Sequence, residues 1–172
     1  MIRRYGEPVV AGQIYRRRPG VYAILLRGDD ILLTHQAEPD NEFQLPGGGI
    51  DPGEHPLPAL HREVMEETGW RITAARRFGA FRRFCYMPDY DRWAEKICTI
   101  YVAQPTLRLG PPTEKGHSAH WMPAHQALDI LGNDGDRALL ELDGVVAHIG
   151  AATVLLGVLD KATVQRLLRR QS

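Results

Sequence analysis

The sequence predicts an α/β fold with a mixed sheet, and three observations predict it. Apolar, partly β-branched runs of strand length recur along the chain. Segments with apolar residues at helical spacing are interleaved with those runs rather than gathered at one end. The length, 172 residues, suits one domain that can bury a substantial core.

Residues 1 to about 19 read as an irregular lead-in with some strand character, closing at Pro19-Gly20. VYAILLR (21–27) and ILLTHQ (31–36) flank Gly28-Asp29-Asp30, a hairpin signal. EFQLP (42–46) is a short strand feeding Gly47, Gly48 and Gly49. A helix is expected from about Pro56 to Thr68, because proline is tolerated in a first turn and Gly69 is placed to end it. FGAFRRFCYM (78–87) and KICTIYVAQ (96–104) read as strands, joined by a polar, aromatic connection over 87–95 of the kind that covers a pocket. Pro111-Pro112 marks a turn, AHWMP (119–123) a last short strand, and helices follow at about 124–131, 133–148 and 160–170.

The composition is that of an ordinary globular protein, 44% hydrophobic and 24% charged. Lys+Arg and Asp+Glu both number 21, so net charge points to neither a nucleic-acid polymer nor a membrane as partner. Arginines cluster at Arg3, Arg4, Arg16, Arg17 and Arg18, and again at Arg76, Arg77, Arg82 and Arg83. Such clusters are either solvated surface or holders of phosphate. Cys85 and Cys98 belong to no CxxC pair, which suits a reducing compartment. MIRRYGEPVV has no apolar run behind its charge, so no secretory signal is expected. VVAHIGAATVLLGVL (145–159) is short for a membrane span and contains His148. A cytoplasmic location is the expectation.

The chemistry concentrates in GGGIDPGEHPLPALHREVMEETGW, residues 47–70. At ~100° per residue, Glu63, Glu66 and Glu67 fall within about 100° of arc on the expected helix. Leu57, Leu60 and Val64 form the adjoining apolar stripe, so three carboxylates sit at the edge of a buried face. Like charges at this spacing cost ~0.2–0.5 kcal/mol per pair, and more when partly buried. A hard divalent cation relieves that repulsion, and Mg²⁺ takes oxygen ligands and shares its site with substrate phosphates. Glycines upstream let the main chain turn tightly and approach a ligand, where a bare carbonyl can complete the oxygen shell. Arg62 can pair with Glu66 one turn on, or brace Glu54 across the loop.

The stretch fits G-x5-E-x7-R-E-U-x-E-E-x-G-U, where U is bulky and apolar, through Gly48, Glu54, Arg62, Glu63, Val64, Glu66, Glu67, Gly69 and Trp70. Seven of these positions demand one residue type, so chance agreement at one start is on the order of one in a hundred million. The stretch resembles the Nudix box of the Nudix hydrolase superfamily. Trp70 departs from the aliphatic residue usual there, which bears on packing rather than metal chemistry. The resemblance covers roughly residues 18–142, leaving a lead-in of 1–17 and a C-terminal helical extension, 143–172, packed on the domain.

The resemblance implies an α/β/α sandwich with a mixed sheet, the box forming a loop–helix–loop. It implies magnesium-dependent hydrolysis, with Mn²⁺ as a substitute, of a nucleoside diphosphate linked to another moiety, by attack of water at phosphorus. Glu63, Glu66 and Glu67 would be the principal metal ligands, joined by the Gly48 carbonyl, with Glu54 as a supporting carboxylate. Arg62 would orient the glutamates. Glu66 or Glu67, or a glutamate from a mobile loop, would take the water's proton; Glu95 and Glu114 are the loop candidates, Glu114 slightly preferred. The alternative is a catalytically silent sensor or partner-binding domain, against which every box carboxylate is present.

Substrate choice lies outside the box. His35 and Gln36 end the second hairpin strand, where His35 is placed to donate to phosphate. Phe43, Phe81, Tyr86, Tyr90 and Trp93 are candidates to stack on a base. Arg82 and Arg83 are adjacent, so only one, assigned here to Arg83, can face a pocket. FQLPGGG lacks the Trp and Lys usual in asymmetric dinucleoside tetraphosphate hydrolases, and no SQPWPFP-like segment of NADH pyrophosphatases follows the box. Tyr86 and Pro88 point to dinucleoside polyphosphate and ADP-ribose hydrolases respectively, so the nucleotide-type small-molecule substrate stays open. TVQRLLRR (163–170) alternates apolar and basic residues, and suggests either a cover for the domain or a homodimer contact.

Overall fold

The computed structural model describes residues 2–38 and 41–142. Its elements are β1 (Arg3–Gly6), β2 (Arg16–Arg27), β3 (Asp30–Gln36), β4 (Glu42–Gln44), β5 (Gly47–Gly49), α1 (Pro56–Thr68), β6 (Trp70–Met87), β7 (Arg92–Arg108), β8 (His117–Pro123), α2 (Ala124–Ile130) and α3 (Asp134–Leu142). The strands form two leaves. One is a mixed leaf in which β1 runs parallel to β6, β6 antiparallel to β7, β7 parallel to β2, and β2 antiparallel to the glycine strand β5. The other is antiparallel, with β3 paired to both β4 and β8. The hairpin of β2 and β3, registered Leu26↔Ile31, joins them.

Strand alternation sorts the core into two faces. Val21, Ala23 and Leu25 of β2 meet Ala59, Leu60 and Val64 of α1. Ile24, with Phe81, Cys98 and Ile100 from neighbouring strands, meets Ala127 and Leu131 of the α2 region and Leu139 and Leu140 of α3. One helix lies on one face and two on the other, which is the expected α/β/α sandwich.

Several expectations need correction. The lead-in's expected strand character is realised as β1, which, beyond expectation, extends the mixed leaf along β6. The three glycines form a strand rather than a free loop. β6 begins at Trp70, well before the expected 78, because bulges between Arg71 and Ile72, Thr73 and Arg76, and Arg77 and Gly79 break its period-two pattern. The connection over 87–95 shrinks to a 3-10 turn at Pro88–Tyr90, and Glu95 therefore sits in a strand. Leu57, assigned to the buried stripe of α1, is 45% exposed in the first turn, and Ala59 takes its place in the core. Of the helix expected over 133–148, Asp134–Leu142 is described; its remainder, the 145–159 run, the 160–170 helix and the whole 143–172 extension lie outside the described residues.

Candidate active site

The glycine strand is shaped by close approach. Gly47 has φ +140°, and a side chain there would sit 2.2 Å from the Val21 carbonyl oxygen. At Gly48 a Cβ would lie 2.4 Å from the Glu63 carboxylate, so the absence of a side chain lets helix α1 lay that carboxylate against the strand. Gly20, registered with Gly49, performs a related service: a Cβ there would come within 2.9 Å of the Gly48 carbonyl oxygen. After the strand the chain turns at Asp51–Glu54, where the Glu54 amide donates to the Asp51 carbonyl at 2.9 Å. Helix α1 then starts with proline in its first turn and ends at Gly69, whose left-handed φ of +73° directs its N–H to the Met65 carbonyl.

Helix α1 carries its carboxylates deeper than an edge position would. Glu63 and Glu67 are 8% and 3% exposed and lie on the buried arc itself, while Glu66 stands at its rim. Arg62 gathers them. Its guanidinium donates to both oxygens of Glu54 at 3.0 and 2.8 Å, to Glu63 at 2.8 Å, to Glu66 at 3.1 Å and to the Gly49 carbonyl at 3.1 Å. It thus makes both pairings the sequence leaves open. The Arg62 hydrogen bonds, with the Asp51 N–H, hold the Glu54 carboxyl down at about 2. Glu54 is consumed in holding Arg62 and is not among the side chains whose ligand atoms converge below.

Burial acts in the opposite direction on the other two. It raises the Glu63 carboxyl above its ordinary value despite Arg62. It raises Glu67 much further, and the Gly47 N–H at 2.9 Å and the Thr34 hydroxyl at 3.3 Å offset this only in part. Glu67 is not among the carboxylates that Arg62 holds; the His117 imidazole lies 3.5 Å away, and the Glu114 and Glu63 carboxylates raise Glu67 further. A buried carboxylate with so little compensation is one that a cation would stabilise.

The remaining acid comes from the segment after β7. The amides of Thr113 and Glu114 both donate to the Glu66 carbonyl, at 2.7 and 3.0 Å, and the Leu109 amide donates to that of Gly69 at 2.8 Å. The last turn of α1 therefore anchors this segment, and Glu114 is brought over the box. Ligand atoms of Glu63, Glu66 and Glu114 lie within 4.8 Å of one another, as do those of Glu67, Glu114 and His117. These residues border a cavity of about 330 Å³ that also includes Gly48, Arg18, Lys96 and Tyr90. All-oxygen donors with one imidazole suit Mg²⁺ or Mn²⁺, and the residues present fit such an ion.

A second cavity, about 410 Å³, adjoins the first and shares Gln36, Gln44, Met87 and Lys96 with it; Arg83 and Tyr86 line it. The predicted substrate residues divide accordingly. Gln36 borders both cavities, and Arg83 and Tyr86 the second. His35 and Phe43 line neither: His35 is one position out of phase with Gln36 on β3, and it stacks on Phe43 at 4.8 Å and bonds Asn41 at 2.5 Å. Phe81 is core, 1% exposed. Trp93 packs against Tyr15 and Tyr86. Glu95 is drawn to Arg82 and Arg17, at 3.4 and 3.6 Å, away from the box. Sequence reasoning missed His117, Lys96 and Thr34 as members of the site, and had Arg18 only in an arginine cluster left open as surface or phosphate holder. Strand register brings all four in, and no local spacing announces it.

A family model of the NUDIX domain matches residues 16–142, and the chain belongs to the Nudix hydrolase superfamily. Among curated relatives, an RNA pyrophosphohydrolase of Mesorhizobium japonicum is 48% identical over 63 residues, 31% of this chain and 36% of that protein. A CMP-5'-(N-acetyl-N-hydroxy-3-aminopropyl)phosphonate hydrolase of Streptomyces rubellomurinus is 32% identical over 91 residues, 52% of this chain and 41% of that protein. The matched segments thus span about two fifths or less of these relatives' lengths. A solved NUDIX hydrolase from Nitrosomonas europaea superposes with a TM-score of 0.62 at 18% identity, covering 73% of this chain and 87% of that one, a likeness of fold.

Proposed function

We propose that the protein hydrolyses a pyrophosphate bond in a nucleotide-type small molecule, with Mg²⁺, or Mn²⁺ in its place, held by Glu63, Glu66, Glu67 and the Gly48 carbonyl. The observation that carries this reading is the convergence of four carboxylates and His117 at one cavity wall. Bound metal would neutralise the diphosphate, orient water and stabilise the departing oxygen. The chain's own residues do the rest. Arg62 keeps Glu63 and Glu66 turned inward. Glu114, within reach of both ligand groups, takes a proton from the attacking water; the new P–O bond forms as the bridging P–O bond breaks, and the bridging oxygen leaves with its phosphate. The two free thiols, Cys85 and Cys98, favour a reducing, cytoplasmic setting.

The test is a nucleotide panel with Mg²⁺ or Mn²⁺ in ¹⁸O-water, products read by mass. It includes free nucleoside triphosphates, ADP-ribose, dinucleoside polyphosphates and, because the Mesorhizobium relative is named for RNA, a 5′-triphosphorylated oligonucleotide. The expected result is label in one phosphate-bearing product and its loss in Glu114→Gln. Absence of turnover on the whole panel, with Mn²⁺ affinity indifferent to Glu67→Gln, would overturn the proposal.

A further inference from the structure

The pairing of β6, β7 and β2 sets three cations in one row. Arg83 of β6 is directly opposite Lys96 of β7, and Lys96 is directly opposite Arg18 of β2. Residues in direct register point to the same face, and neighbouring strands are ~4.8 Å apart, so the row runs roughly 10 Å across the sheet. It begins in the acidic cavity, which Arg18 lines, passes Lys96 in the wall common to both cavities, and ends at Arg83 in the second.

Like charges directly opposed across strands are destabilising, and among the described residues no salt bridge or side-chain hydrogen bond reaches Arg18, Lys96 or Arg83. Arg18 is instead seated by shape: its guanidinium lies where a Cβ on Gly49 would stand, 2.7 Å from Nη2, and 5.0 Å over the Tyr90 ring. Burial, then Arg83 and, more weakly, Arg18, hold the Lys96 ammonium below its ordinary range, while the thiols of Cys85 and Cys98 pull it upward. Arg83 interacts electrostatically with Glu42 and with Asp136, which is fully buried and itself pushed up to about 7. Glu7 and Glu42 share the wall of the second cavity, while the row itself turns three cations toward the two cavities.

We propose that Arg18, Lys96 and Arg83 form an anion track that holds phosphate beyond the diphosphate under attack, so that the substrate carries at least three consecutive phosphates. This rests on the hydrolytic reading above and narrows its substrate class. A diphosphate joined to a neutral sugar would occupy the acidic cavity and leave Lys96 and Arg83 uncompensated. A third phosphate reaches them, and arginine and lysine are the side chains that bind it best. Free nucleoside triphosphates and the 5′-triphosphate end of an RNA offer the same chemistry.

The experiment compares kcat/KM for a nucleoside triphosphate and a short 5′-triphosphorylated RNA with that for ADP and ADP-ribose, in the full-length protein. In parallel, calorimetry with Ca²⁺ measures binding of inorganic triphosphate against pyrophosphate. Three-phosphate ligands are expected to win by about tenfold or more, the worth of one charged hydrogen bond, and the margin is expected to shrink with salt. Lys96→Met and Arg83→Met should each cut the three-to-two phosphate ratio about tenfold, and Lys96→Arg should restore it. Preference for the RNA or for the free nucleotide names the source, and either supports the track. Equal handling of both chain lengths, or a ratio unmoved in the Met variants, overturns it while leaving hydrolysis intact. Preferential triphosphate binding without turnover of any substrate would sustain the track and sink the hydrolytic reading.

Discussion

Glu67 illustrates how one residue is placed at the expense of stability. Its carboxyl is 3% exposed and gains only an amide, a hydroxyl and a nearby imidazole. Replacing it with glutamine removes a buried charge while keeping shape. Metal-free Glu67→Gln is therefore expected to melt several degrees above the parent, at ~2–4 °C per kcal/mol for a chain of this size. The same substitution should weaken Mn²⁺ binding at least ~10-fold and lower kcat/KM more steeply. Calorimetric melting and metal titration check the two halves separately. Arg62 makes a complementary case, because it serves Glu54, Glu63 and Glu66 through one planar fork. Lysine retains the charge but cannot grip Glu54 with two donors. Arg62→Lys should thus raise the Mg²⁺ concentration needed for half-maximal rate, and a Mg²⁺ titration of kcat would show it. Of this cluster, Glu63, Glu66, Glu67 and Arg62 were legible in the sequence, because helical spacing alone puts them together. His117 was not, since its place is set by the β3–β8 pairing, where it faces Gln36.

At the scale of elements, the glycine strand and the end of α1 are the stiffest points of the design. Gly69 has φ +73°, and a Cβ there would fall 2.0 Å from the Gly110 carbonyl oxygen. Gly69→Ala combines a left-handed backbone with a clash, and should destabilise by more than ~1 kcal/mol, read as a fall in urea midpoint. Because the segment bearing Glu114 hangs from the same helix end, kcat should drop as well. Helix α1 was readable nearly to the residue, from the proline in its first turn and the glycine after its last. β6 was not, because its three bulges shift the inward-facing positions and erase the alternation that marks a strand. The glycines were seen as a flexible loop; their extended pairing with β2 depends on a partner about twenty-five residues away, which local composition does not record.

For the whole molecule, the α2–α3 face contains an unusual acid. Asp136 is 1% exposed, one of its carboxylate oxygens has no hydrogen-bond partner among the described residues, and burial lifts its pKa from 3.8 to about 7, with Arg83, the Leu45 N–H and Lys96 opposing and Glu42 reinforcing. A folded-state pKa above the unfolded one contributes stability that is full below about pH 3.8 and lost as pH rises through about 7. Asp136→Asn should flatten that part of the stability–pH curve and leave it unchanged at pH 3, as denaturant melts across the range would reveal. The sandwich itself follows from β2, which faces Val21, Ala23 and Leu25 to one side and Ile24 to the other; in the sequence VYAILLR is a continuous apolar run, and the sandwich was legible only through the Nudix resemblance. The division into two leaves was not, because only the register of long-range strand pairs sets it.

The two amides that Thr113 and Glu114 give to the Glu66 carbonyl make the acid-bearing segment an annex of the box helix. Amide hydrogen exchange should accordingly show Thr113 and Glu114 slowing and quickening in step with the Gly69 amide, as one cooperative patch. Fraying that final turn would then unseat the proposed metal ligand Glu66 and the proposed proton acceptor Glu114 in a single event.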